Sequence, residues 1–425
     1  MKHDRMAPSP ALTVERLDAE GLARLDADAW DALSRDALVE NPFYARQYLL
    51  AGLQTIDRRA PPGALAVRDA SRTLLGLFPY RARRFPFANS DGACNVYQPC
   101  CTPLVHRDHA DAVVGAWLDA MVDRNEVPRF WQLRHLDLAS PLTAVIDAEL
   151  SRRGLLRLAV NSYQRPRLTR LPGGLDQHLA SVLSKGRLKD LQRNLRRLRE
   201  LGTVRFERAR EPGLVGRRFE QFLAMENAGW KGDSCTAILA RARDADFARA
   251  ALAPRGALAP RGDAPGMVTI DALLLDERPI ALSVNMQARE ATFTPKCTYD
   301  EAYRRFSPGF VLEYLVIEEF YQDDGATEMD ACTTSDGHVI SGFWNGTKPI
   351  GTLIVGPDTW QTHLLARTAQ AKHAAREHLK HALRRLPLRR WSKSVAAARQ
   401  PHVGWHVPWT AALATAITVA ALYAE

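Results

Sequence analysis

The segment from Met267 to Tyr321 constrains this chain most, because it strings three strand-like runs onto a helix with a proline at its start. Val268 to Leu275 is apolar and rich in residues that fit a pleated surface, and Asp276-Glu277-Arg278-Pro279 supplies a turn. Ile280, Leu282, Val284 and Met286 then alternate with Ala281, Ser283 and Asn285, which predicts the returning strand of a hairpin. A third strand is expected over Ala291 to Cys297. Pro295 falls inside it and has no N–H for a ladder, so the sheet should be bulged, splayed or at an edge there.

Arg304-Arg305-Phe306-Ser307-Pro308-Gly309 follows. Ser307 can cap a helix, Pro308 suits the first helical position, and Gly309 lets a ligand approach the backbone. Phe310, Tyr314, Ile317 and Tyr321 recur at helical spacing, and Gly325 offers a stop. Strand, loop, helix start and two arginines together make an anion site, since free N–H groups and the positive end of the helix dipole point into the loop.

Strands running into Arg304-x-x-Ser307-x-Gly309 resemble the GNAT acyltransferase superfamily, whose Gln/Arg-x-x-Gly-x-Gly/Ala loop holds the pyrophosphate of acetyl-CoA; here serine replaces the first glycine. Tyr299-Asp300-Glu301 before that loop, and Glu226-Asn227-Ala228-Gly229-Trp230-Lys231-Gly232 upstream, resemble the polysaccharide- and cellulose-associated acetyltransferases of that superfamily, relatives in fold of FemAB-type aminoacyltransferases. The resemblance covers roughly 165–356, with a vaguer echo before it. It implies acetyl-CoA or another acyl-CoA as co-substrate, with Lys296, Arg304, Arg305, Ser307 and Gly309 as its binding residues. Trp230, Lys231, Tyr299 and Trp344 are the candidate substrate-binding residues. Related polysaccharide acetyltransferases place a Tyr-Lys pair near Phe343-Trp344-Asn345-Gly346, and this chain lacks it.

With 425 residues the chain exceeds what one hydrophobic core usually supports. The expected architecture is α/β, in α+β layers: tandem GNAT-like domains with mixed central sheets flanked by helices, plus a C-terminal helical tail. The expected divisions are 1–164, a degenerate GNAT-like domain; 165–357, the acyltransferase domain; and 358–425, a basic tail. Fifty-seven Lys and Arg against 48 Asp and Glu favour anionic partners such as phosphates, nucleic acid or acidic lipid. None of the six cysteines forms a C-x-x-C pair, so no metal is expected. No apolar stretch follows Met1-Lys2-His3-Asp4-Arg5, which favours a reducing cytoplasm.

Before residue 164, a strand is expected over Leu12 to Leu17 and helices over Leu22 to Leu38 and Phe43 to Leu53. Ala64 to Asp69 and Thr73 to Arg83 read as a strand pair, followed by a polar loop from Phe85 to Pro103. Helices over His109 to Asp123 and Leu142 to Arg153 alternate with strands over Phe130 to Leu136 and Leu155 to Ser162. After a strand over Pro166 to Leu171 and a helix over Leu175 to Leu183 comes the densest charge cluster, Ser184 to Leu201. Its Leu188, Leu191, Leu195 and Leu198 share one face, while Lys189, Arg193 and Arg196 lie away from it. If that basic stripe binds a ligand, it grips a polyanion: tRNA, a phosphorylated carrier or an acidic membrane surface. Beyond a long helix over Thr359 to Leu386, the uncharged run Trp409 to Tyr423 is shorter than the ~20 residues that span a bilayer. With the arginines before it, that run could rest at the inner face of an anionic membrane.

Acyl transfer from a thioester needs a donor held by its phosphates, a polarised carbonyl and a deprotonated acceptor. Backbone N–H groups near Pro295 to Cys297 are the candidates for the second task. For the base, the order is Asp336, His338, Glu226 and Asp330, the first two lying in a loop beyond the strand ends. The leading expectation is an acyl-CoA-dependent N- or O-acyltransferase that acetylates a sugar, a glycan precursor or a related small acceptor in polysaccharide or envelope metabolism. The alternatives are a FemAB-like aminoacyltransferase using aminoacyl-tRNA and a non-catalytic GNAT-shaped binding protein.

Overall fold

The computed structural model describes residues 12–123, 127–253, 267–323, 325–335 and 339–385. The first half runs β1 (Thr13–Leu17), α1 (Ala19–Ala23), α2 (Ala27–Asp36), α3 (Arg46–Gln54), β2 (Gly63–Arg68), β3 (Leu74–Arg83), β4 (Asn89–Gly92), β5 (Leu104–Val105), α4 (Ala110–Asp123), β6 (Trp131–Asp137), α5 (Pro141–Arg152) and β7 (Leu155–Thr169). The second runs α6 (Gly174–Val182), α7 (Lys185–Arg199), β8 (Val204–Ala209), α8 (Pro212–Ala228), α9 (Trp230–Asp233), α10 (Ala242–Leu252), β9 (Val268–Leu275), β10 (Arg278–Gln287), β11 (Ala291–Tyr299), α11 (Pro308–Gln322), β12 (Glu328–Asp330), β13 (Gly346–Pro357) and α12 (Trp360–Arg385).

These strands form one mixed sheet in the order β1-β2-β3-β4-β6-β13-β7-β12-β11-β10-β9-β8, with β5 beside β3. The two expected mixed sheets are thus joined edge to edge. The join is made by β13, which pairs antiparallel with β6 of the first half and with β7. Helices cover both faces of each half. In the second half, Phe219, Phe222 and Phe247 from α8 and α10 pack on one face, where Val268, Ile270, Ala272 and Leu274 alternate inward. Leu273 and Leu275 point to the opposite face, beneath α7 and α11. In the first half, α4 and α5 bury Trp117, Leu118 and Ile146 against β2, β3 and β6.

The helix expected over Leu22 to Leu38 is two. Asp26 interrupts it and accepts the Ala29 N–H at 2.8 Å, capping α2. The strands expected to end at Ser162 and to restart at Pro166 are one continuous β7. Asn161 takes a left-handed φ of 55° within it, yet β13 keeps pairing on both sides of that kink. The polar loop of 85–103 hides β4, whose Asn89, Ser90, Asp91 and Gly92 are all buried. Side-chain partners replace apolar packing there: Asp91 takes a two-pronged ion pair from Arg134 at 2.6 and 2.8 Å, and Asn89 accepts from Gln132 at 3.0 Å.

Candidate active site

Proline decides where the sheet opens. Val284 pairs with Lys296 and Met286 with Phe293, so Asn285 on β10 faces both Thr294 and Pro295 on β11. This bulge is the one Pro295 predicts. On its other side, β11 has β12 as a parallel neighbour only from Ala291 to Phe293. From Thr294 to Tyr299 the strand keeps β10 and parts from β12, which leaves a gap in the sheet. The two strands stay tied at its root, where the Thr294 hydroxyl donates to the Asp330 carbonyl at 3.1 Å.

At the far end of β11, residues 301–306 form a 3-10 turn capped by Asp300, which accepts the Ala302 N–H at 3.0 Å. This segment was expected to be an open loop. Pro308 starts α11 as expected, but Ser307 does not cap it with its hydroxyl. Its backbone is left-handed instead, with φ 51° and ψ 54°, and its carbonyl accepts from Phe310 and Val311 at 2.9 and 3.1 Å. Since Pro308 carries no N–H, the Gly309 N–H is the one at this helix start without a partner among the described residues. Arg304 and Arg305 are exposed beside it, and among the described residues no acid pairs with either. Their charge and the Gly309 N–H suit a phosphate.

The remaining candidates stand around the gap. Glu226 is buried in the last turn of α8, where the helix dipole disfavours a carboxylate. Lys231 donates to its Oε1 at 2.9 Å, the Ile238 N–H donates to its Oε2 at 2.9 Å, and Lys296 lies 3.9 Å away. Burial alone would raise its pKa, but Lys296 and Lys231 pull it below the usual range. Burial lowers the pKa of Lys296 despite Glu226, and its ammonium lies over the Tyr97 ring. Lys231 also reaches the Cys297 carbonyl at 3.3 Å, on the stretch of β11 that borders the gap. Trp230, a substrate-binding candidate from sequence, is 59 % exposed.

Asp330 is buried between Lys348 at 2.7 Å and Arg165 at 3.5 Å, and it accepts the Cys332 N–H at 2.7 Å. Against the upward push of burial, Arg165 and Lys348 hold its pKa below normal. Glu226 and Asp330 are therefore fixed as ionised, fully engaged carboxylates, an arrangement unsuited to taking up a proton. Asp336 and His338, ranked first from sequence, lie outside the described residues.

One acid at the gap was missed from sequence. Glu313, on α11, accepts the Trp344 indole N–H at 2.6 Å. Burial pushes its pKa up to about 7, further than the Trp344 bond brings it down, and the charge of Asp271 adds to the rise. It is close enough to the Cys297 thiol for its charge to be felt there. Trp344, assigned to substrate binding from sequence, is buried and holds this carboxyl, while Tyr299 is half-buried against the Gly309 backbone. The signal for Glu313 was present: it is a lone acid within Val311-Leu312-Glu313-Tyr314-Leu315-Val316-Ile317.

Residues 185–338 match the family model described as an acetyltransferase (GNAT) domain. No curated protein matches the sequence. Among solved structures, the crystal structure of FemX is similar over 80% of this chain and 96% of that one, with 11% identity and a TM-score of 0.50. A conserved protein of unknown function from Bacteroides thetaiotaomicron is similar over 78% of this chain and 97% of that one, with 10% identity and a TM-score of 0.48. L-PGS from Bacillus licheniformis is similar over 80% of this chain and 96% of that one, with 11% identity and a TM-score of 0.45. At 11% identity the likeness to FemX concerns the fold. Among the described residues, no helix is long and apolar enough to cross a membrane and no cluster of metal-ligating side chains occurs.

Proposed function

Starting from an acyltransferase with a GNAT-type domain, we propose that the chain moves an acetyl or other acyl group from coenzyme A to an amine or hydroxyl of a sugar, glycan precursor or related small acceptor. The observation that carries this reading is the gap between β11 and β12, leading along β11 to a proline-started helix with an unpartnered N–H and two unpaired arginines. Arg304 and Arg305 meet the phosphates, with the Gly309 N–H. The free side of β11 offers backbone N–H groups near Lys296 and Cys297 to the thioester oxygen as it becomes anionic. Glu313, with a pKa of about 7, accepts the proton of the acceptor, together with or in place of Asp336 and His338. The freed lone pair attacks the carbonyl carbon, the C–S bond breaks, and the departing thiolate takes up a proton.

Calorimetry with acetyl-CoA tests this. Wild-type protein should bind at micromolar to millimolar concentration, and Arg305→Ala and Gly309→Asp should each weaken binding at least tenfold. No heat of binding at millimolar acetyl-CoA overturns the proposal.

A second reading, a FemAB-like aminoacyltransferase using aminoacyl-tRNA, draws on α7. Its Lys185, Lys189, Arg196 and Arg197 are exposed without an acidic partner among the described residues, and only Arg193 pairs, with Asp190 at 2.8 Å. That reading requires tRNA binding that falls steeply between 50 and 200 mM salt and is lost in Lys189→Gln/Arg193→Gln/Arg196→Gln.

A further inference from the structure

On the sheet face opposite α11, a cavity of about 330 Å³ lies over five consecutive strands, β6, β13, β7, β12 and β11. Alternate positions make its floor. Arg165 and Arg167 come from β7, Lys348 from β13, and Glu328 and Asp330 from β12. At intervening positions Leu168 and Met329 turn to the other face, into the core beneath α11. A sheet face between packed layers is ordinarily apolar, and an ionic one costs desolvation free energy, so this pattern marks a site. The roof comes from the first half of the chain, through Glu40, Thr102 and Ser140. Glu40 also clasps the second half, accepting the backbone N–H groups of Glu290 and Ala291 at 2.9 and 3.1 Å.

The lining is balanced in charge, with four basic and five acidic side chains. Most already pair with one another: Lys348 with Glu328 and Asp330 at 2.8 and 2.7 Å, Arg289 with Glu40 at 3.4 Å. A ligand of either sign would bring an uncompensated charge among these pairs. Hydrogen-bonding capacity is left over. Arg167 Nε is buried without a hydrogen-bond partner among the described residues, and its Nη1 lies 3.6 Å from Glu328, too long for a good bond. A neutral molecule with several hydroxyls, each both donor and acceptor, uses such a lining fully. Phe293 adds one apolar patch, and Phe293 and Asp330 are the last paired residues before β11 and β12 part, so the cavity ends at the root of the gap.

We propose that this cavity is the acceptor site, roofed by the first half of the chain, and that its occupant is a neutral polyhydroxylated molecule of sugar size. The assignment rests on the acyl-transfer reading above. Donor and acceptor then reach the gap from opposite faces of one sheet.

Saturation-transfer NMR tests it, with D-glucose and D-galactose as neutral probes and glucose 6-phosphate and D-glucuronate as charged ones. The neutral sugars should receive signal from wild-type protein more strongly than the charged ones. That signal should fall at least tenfold in Thr327→Trp, which fills the exposed rim, and in Arg167→Met, with melting temperature and acetyl-CoA binding unchanged in both. Silence from both neutral sugars, preference for a charged one, or wild-type signal in both variants overturns the assignment. Sugar binding lost in both variants of a protein that does not bind acetyl-CoA upholds the cavity as a sugar site and removes the acyl-transfer reading instead.

Discussion

Asp330 and Glu313 stand near the same gap and answer burial in opposite ways. Asp330 has Lys348 and Arg165 against it, so its folded pKa lies below 3.8. Its ionised form stabilises the fold above that value, and the contribution disappears as pH falls through the folded pKa. Asp330→Asn leaves two buried cations short of a counter-charge and should destabilise the protein by about 3–5 kcal/mol in urea denaturation at pH 7. Glu313 has only an indole N–H, and its pKa rises from 4.5 to about 7. A raised carboxyl favours the fold below pH 4.5, and that advantage is lost as pH rises through about 7. Glu313→Gln, which keeps the Trp344 bond, should therefore be more stable than wild type at pH 8, by about 3 kcal/mol, and nearly equal to it at pH 4.5. Melting curves across that range check this; parallel curves for the two proteins would refute it. Sequence named Asp330 and passed over Glu313, because a carboxyl's proton affinity depends on which cations fold against it. Lys348 lies 18 residues from Asp330 and Arg165 lies 165 away.

At the scale of elements, legibility followed local chemistry. The bulge in β11 was readable because proline cannot complete a ladder whatever surrounds it. The helix over His109 to Asp123 was readable from its apolar spacing, and α4 spans Ala110–Asp123. By contrast, β4 was illegible: Asn89, Ser90, Asp91 and Gly92 carry no strand preference, and their partners Gln132 and Arg134 arrive from β6. The expected face of α7 holds too, since Leu191, Leu195 and Leu198 are buried and the basic residues exposed. Leu195→Ala should cost about 2–4 kcal/mol of stability, whereas Lys189→Gln and Arg196→Gln should each stay within about 0.5 kcal/mol. Chemical denaturation of the three variants separates the packing side of the helix from its solvent side.

For the whole molecule, the sheet is the unit. The division at 164/165 falls inside β7, and β13 pairs with β6 before it and with β7 residues on both sides of it. The protein should therefore unfold in a single calorimetric transition, with calorimetric and van't Hoff enthalpies equal. Two resolved transitions would mean that each half keeps its own cooperativity. Composition showed that the chain was too long for one small core, and alternating helices and strands indicated layers. Neither could show that the layers share a sheet, since pairing between Trp131 and Val355 is a contact across most of the described chain.

The position of β13 has a consequence for synthesis. It is the last of the described strands to leave the ribosome, and until it emerges β6 and β7 have no common neighbour. During translation both therefore wait with bare edges, Trp131, Leu133 and Leu136 among the residues on one of them. The nascent chain closes its centre late, and over that interval the bare edges of β6 and β7 are open to pairing with the wrong strand.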